Sequence, residues 1–207
     1  MQGTHRSLKE KQRQERESLI LQVAEEVLLE KGYADTSIDE IAARVGIAKG
    51  TVYLHFPSKE DLVVTIFARN MQTLLEGMDD IIASKLTYRA KLEALLDFMY
   101  TGFFSKRAQL LSSIHTCAEL MNLFTQKGGS IRELWRKQAK VVALLLDEGK
   151  KAGEFTTEIP TPILVGSFFS LLSPLHYQRL RDEEHFSSEE LVRSVVHIYF
   201  NGIIAER

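Results

Sequence analysis

Lys49, Gly50, Thr51, Tyr53 and Leu54 fall together in the stretch "IAKGTVYLHF" between Ile47 and Phe56. They supply one cation, two hydroxyls, one apolar tip and a glycine. Such a set breaks no bonds, but it suits the recognition of a polyanion with base edges. The surrounding chain is rich in good helix formers, whereas glycine inside a helix costs about 1 kcal/mol relative to alanine. Thr51, Val52, Tyr53 and Phe56 are β-branched or aromatic and favour strands. At 100° per residue, Ala48, Val52 and Phe56 share one arc of a short helix, and the five residues named first occupy the other. The first arc is expected to pack inward. The second is a poor solvent face but a reasonable fit to a DNA groove. There Gly50 lets the backbone approach closely, Lys49 and Thr51 reach base edges, and the Tyr53 hydroxyl meets a phosphate.

Other chemistry is thinly represented. His115 and Glu119 are four residues apart on one helical face, a spacing compatible with metal binding or proton transfer. No third ligand accompanies them, so no metal is expected. A glycine-rich phosphate loop, an HExxH pair, a GxSxG elbow and clustered Cys/His ligands are all missing from the sequence, which argues against an enzyme. Cys117 is the only cysteine. It reads as a small core residue, no internal disulfide is possible, and a reducing cytoplasm suits the chain.

The elements that position these residues are helical. The 207 residues, 44% hydrophobic and 26% charged, suffice for a substantial core. The net charge of -2 excludes a globally basic coat. Local charge differs: residues 1–16 carry His5, Arg6, Lys9, Lys11, Arg13 and Arg16 against two glutamates, and residues 41–59 carry Arg44, Lys49 and Lys59 with no acid. These stretches form a possible positive footprint. No apolar run is long enough to span a bilayer, and no membrane partner is expected. Ser37/Glu40, Ser58/Asp61, Ser130/Glu133 and Ser187/Glu190 each show capping-box spacing and predict helix starts. The pattern predicts helices at about 8–31, 38–45, 48–54, 58–84, 87–104, 106–125, 130–152, 162–181 and 188–204. Gly32 and Gly46 act as stops. The pair 38–45 and 48–54 forms a helix-turn-helix pattern.

Residues 16–62, "RESLILQVAEEVLLEKGYADTSIDEIAARVGIAKGTVYLHFPSKEDL", resemble the DNA-binding domain of the tetracycline-repressor (TetR) family. The likeness lies in the Gly32-Tyr33 exit from the first helix, "TSIDEIA", "VGIAKGTVYLHF" and "SKEDL". Ala48 departs from it, since many members have a serine cap there. The resemblance implies an all-α fold: an N-terminal three-helix helix-turn-helix domain, residues 1–60, joined by a long helix to a helical domain, 61–207, for effector binding and dimerisation. It maps groove positions onto Lys49, Gly50, Thr51, Tyr53, Leu54 and His55, and phosphate contacts onto Thr36, Ser37, Arg44 and Lys59.

The C-terminal helices carry signals of their own. Leu191, Val195, Ile198 and Tyr199, with their apolar neighbours, cover more of the last helix than one packing partner needs. Gly166, Ser170 and Ser173 leave a strip of small residues where another helix could approach. Both features predict a homodimer with a four-helix interface and hence an inverted-repeat operator. Met99, Phe103, His115, Met121, Trp135 and Phe168 are candidate linings of an apolar effector pocket. Gln138 stands among Leu134, Trp135, Val142 and Leu145, where a polar group needs a partner. The expected function is a regulator, in the repressor sense, that binds a double-stranded DNA operator and is released by a small hydrophobic or aromatic effector, with no cofactor. A helical enzyme or adaptor acting on an apolar molecule or a protein partner is the competing class.

Overall fold

The computed structural model describes residues 8–104, 118–172, 180 and 183–201. The described elements are α1 (Leu8–Asp35), α2 (Ile38–Val45), α3 (Lys49–His55), α4 (Lys59–Ala83), α5 (Tyr88–Phe104), α6 (Ala118–Lys127), α7 (Gly129–Lys151), α8 (Thr161–Leu171) and α9 (Ser188–Asn201). The fold is all-α, and no strand occurs among the described residues. None of the described helices is long and apolar enough to cross a membrane. The chain divides into two compact units, Met1–Arg69 with Ser113–Gly129, and Asn70–Ser112 with Ser130–Arg207.

In the first unit, Ile20, Val23, Ala24, Val27 and Leu28 of α1 are buried, as their spacing predicts. Gly32, at φ 78°, interrupts the helical backbone there. Ser37 caps α2 by accepting the Glu40 amide at 3.3 Å. Gly46, at φ 77°, closes it in the left-handed conformation that glycine adopts without strain. α1 packs on α2, and α2 on α3. Ser58 starts α4 by accepting the Asp61 amide at 3.1 Å. Further along α4, Phe67 meets Phe124 of α6 edge-to-face at 4.8 Å between centroids.

The second unit is built around Met78, Leu92, Leu95, Leu96, Met99, Val142, Leu146, Phe155, Phe168, Tyr199 and Phe200, which form one core. α9 packs on both α5 and α8. The Ser187/Glu190 capping box forms in full: each amide is taken by the other's side chain, at 2.9 and 3.2 Å.

Three features depart from the sequence reading. α7 begins at Gly129, so Ser130 already lies inside the helix and does not cap it. Ala48, expected on the inward arc, is the exposed residue preceding α3 and supplies no side-chain cap. The helix expected over 162–181 stops at Leu171. Pro174 lies just beyond; it has no amide to donate, and its ring disfavours helical backbone in the residue before it.

Candidate nucleic-acid interface

α3 is held by Val52 and Phe56, both buried, and its opposite arc faces outward. Lys49, Gly50 and Tyr53 are exposed, Thr51 is half-buried, and Leu54 is 79% exposed. Gly50 has ordinary helical backbone, and a Cβ added there would meet open space. Among the described residues, neither backbone geometry nor packing therefore calls for glycine at that position, and Leu54 beside it is equally uncovered.

The cations around this arc are held by carboxylates. Lys49 Nζ lies 2.7 Å from Asp39, which raises the ammonium pKa. Arg44 donates to both carboxylate oxygens of Glu30, at 3.0 and 2.7 Å, and to Glu40 at 2.7 Å. Glu30 foremost, then Glu40, pushes the guanidinium pKa up. Arg44 in turn lowers Glu30, and Glu40 is lowered first by Lys31 and then by Arg44. Such pairs are solvated and contribute little to stability, so phosphates can take their place at low cost. The acids Glu30, Asp39 and Glu40 were not among the residues expected at this site. Asp39 and Glu40 sit in the first turn of α2, whereas Glu30 is brought to Arg44 only by the packing of α1 on α2.

Lys59 Nζ sits 4.4 Å from the centre of the Tyr33 ring and donates to the Ala34 carbonyl at 3.3 Å. Ser37 is exposed at the start of α2. Thr36 and His55 correct the sequence reading. Thr36 is buried and donates its hydroxyl to the Gly32 carbonyl at 2.6 Å, closing the end of α1. The His55 ring, on the last residue of α3, turns toward Glu17 of α1, with Nδ1 at 3.5 Å and 6% of the side chain exposed. Both side chains support the motif from behind and are not on its outward arc.

In the second unit, Met99 and Phe168 belong to the core. Trp135 is 41% exposed and packs edge-to-face on Phe169 at 5.6 Å. Gln138 is fully buried; its Nε2 donates to the Met71 carbonyl at 3.4 Å, and its Oε1 has no hydrogen-bond partner. The side chains of Phe103 and Met121, and all of His115 and Ser173, lie outside the described residues. Among the dimer candidates, Leu191 and Tyr199 are buried, Val195 is half-buried, and Gly166, Ser170 and Ile198 are exposed. Gly166, Ser170, Ile198 and Tyr199 line a shallow groove with Ile159, Ile163, Ser167 and Leu171. Burial pushes the Tyr199 phenol up, and its hydroxyl donates to the Leu164 carbonyl at 3.1 Å.

A two-helix motif with an outward, cation-flanked second helix defines a helix-turn-helix DNA-binding protein. Residues 20–66 match the model of the bacterial regulatory proteins of the tetR family. The repressor KstR2 of Rhodococcus jostii is 30% identical over 149 residues, covering 70% of each chain. The fatty acid metabolism regulator protein of Bacillus subtilis is 25% identical over 198 residues, 93% of this chain and 98% of that one. The crystal structure of the regulator FadR from Bacillus subtilis, in complex with stearoyl-CoA, superposes with a TM-score of 0.72 at 22% identity, covering 89% of this chain and 98% of that chain. The chain belongs to the tetR family, and it is a DNA-binding, ligand-responsive transcriptional regulator.

Proposed function

We propose that this regulator is a homodimeric repressor whose two α3 helices enter successive major grooves of an inverted-repeat operator. A bulky apolar effector, with a long-chain acyl group as the favoured chemistry, releases it. The outward arc of α3 carries this reading, above all an exposed helical Gly50 that no contact among the described residues requires. Lys49 and Thr51 read base edges, Tyr53 and Leu54 lie against the groove, and Ser37, Arg44 and Lys59 hold phosphates. The groove between α8 and α9 is where the second copy docks. The acyl preference is supported by the stearoyl-CoA bound to the structural relative. The protein acts in the cytoplasm, where the operator is, and turns over no substrate.

The test is a binding titration of the full chain against inverted repeats near its own gene, with and without stearoyl-CoA. A salt-dependent complex of two chains per repeat, dissolved by the acyl thioester, is the expected result. Tight effector binding that leaves operator affinity unchanged would remove the coupling from the account.

A further inference from the structure

Gln138 stands apart from every other polar side chain described. Among the described residues its Oε1 is the one buried side-chain polar atom without a hydrogen-bond partner. Buried acceptors in folded chains are nearly always satisfied, and no described residue supplies the donor for this one. The orientation of the amide is fixed by its neighbour. Nε2 faces the Met71 carbonyl, which only accepts, so turning the amide over would set two acceptors face to face.

We infer that Gln138 is the polar anchor of the effector site, and that its Oε1 accepts a hydrogen bond from an N–H or O–H group on an otherwise apolar ligand. This inference rests on the effector reading above and narrows it. An ester or thioester carbonyl is an acceptor and cannot fill the position; an amide N–H or an alcohol can. An acyl thioester therefore meets Gln138 through an amide of its carrier arm and not through its thioester carbonyl. The surroundings fit an amphiphile: Leu134, Val142 and Leu145 of the same helix are buried, and Trp135 stands three residues before Gln138. Met71 lies on α4, the helix that begins four residues after α3 ends, so an occupant gripping Gln138 acts on the stretch of chain that leads straight to the recognition helix.

Trp135 is the only tryptophan of the chain and lies one helical turn before Gln138, so its emission reports occupancy. The full-length protein is titrated with dodecanamide and 1-dodecanol, which carry donors, and with methyl dodecanoate, which has none, all below their aggregation limits. The wild type is expected to bind the two donors about tenfold more tightly than the ester. In Gln138→Leu and Gln138→Met the donors fall to the level of the ester, while the unliganded variants melt no lower than wild type. Equal binding of all three probes by the wild type, or a donor preference that survives in the variants, overturns the assignment and leaves the apolar effector class standing. Failure of all three probes to bind sinks both.

Discussion

The apolar side chains exposed on α3 and those exposed on α8 and α9 differ in what surrounds them. On α3, Leu54 and Tyr53 stand beside Lys49, with Arg44 nearby in sequence on α2, and both cations are held by carboxylates. On α8 and α9, Ile163 and Ile198 flank Gly166, Ser167 and Ser170, and among the described residues no charged side chain lines the groove between them. The first surface can trade ion pairs for phosphates while offering a leucine and a hydroxyl to base edges. The second can exclude water only by meeting another apolar face of matching shape. A charged rim suits the phosphates of the proposed operator, and a groove of aliphatic and small residues suits the proposed second copy of the chain.

The largest effect is expected where the two surfaces must cooperate. Ile198 is 64% exposed, so Ile198→Glu leaves the subunit's own core intact. It places a carboxylate in the groove and should produce monomers by light scattering. Because each half-site is then bound alone, operator affinity should drop by about 10²- to 10⁴-fold. A dimer of unchanged mass would show that the groove faces solvent, and the contrast drawn above would collapse.

Gly50→Ala separates folding from recognition. The open space at Gly50 accepts a methyl, and alanine is the better helix former, so thermal unfolding should show a gain of up to about 1 kcal/mol. The same methyl stands between the α3 backbone and the groove. Operator affinity should fall on the order of tenfold to a hundredfold. Opposite signs are the signature of a residue chosen for its partner. Loss of stability would mean that Gly50 serves the fold.

Lys59→Ala sharpens the division within the first surface. A residue that only holds a phosphate carries no sequence information, so binding to all sequences should weaken alike and the salt slope should flatten by about one unit. The ammonium also rests on the Tyr33 ring and the Ala34 carbonyl, which presents it without the carboxylate that holds Lys49. Altered preference at a single operator base pair would move Lys59 from the phosphates to the base edges.

The sequence made α3 legible because its anomaly is local: a glycine and several strand formers inside a helix pattern can be seen without knowing the fold. Ser37, Ser58 and Ser187 were legible for the same reason, since a capping box closes over three residues. The partners of the cations were not. Arg44 meets Glu30 across fourteen residues, and only the packing of α1 on α2 brings them together. Thr36 and His55 enter the expected site through the resemblance, yet Thr36 turns its hydroxyl to the Gly32 carbonyl four residues back, and His55 meets Glu17, which only the fold brings close. In the second unit, the apolar neighbours of Gln138 mark it in the sequence, whereas its lone acceptor follows from the fold, which sets the Met71 carbonyl against the other half of the amide.

The smallest effect concerns how α6 is tied to the start of α4. Lys127 lies 3.0 Å from Asp61 and 3.3 Å from the Ser58 hydroxyl. The Ser58 hydroxyl foremost, then Lys127, holds the Asp61 carboxyl below its ordinary value. A carboxylate whose pKa is lowered by folding adds stability above its unfolded pKa and loses it as pH falls through the folded one. Both side chains are more than a third exposed, so the pair is screened, and Lys127→Ala should cost only about 0.2–1 kcal/mol near neutrality. The gap between wild type and variant should hold down to the ordinary aspartate range, near pH 4, and close below it as Asp61 takes up a proton. A gap that persists unchanged at pH 2 would show that the lysine contributes through its aliphatic stem and not through its charge.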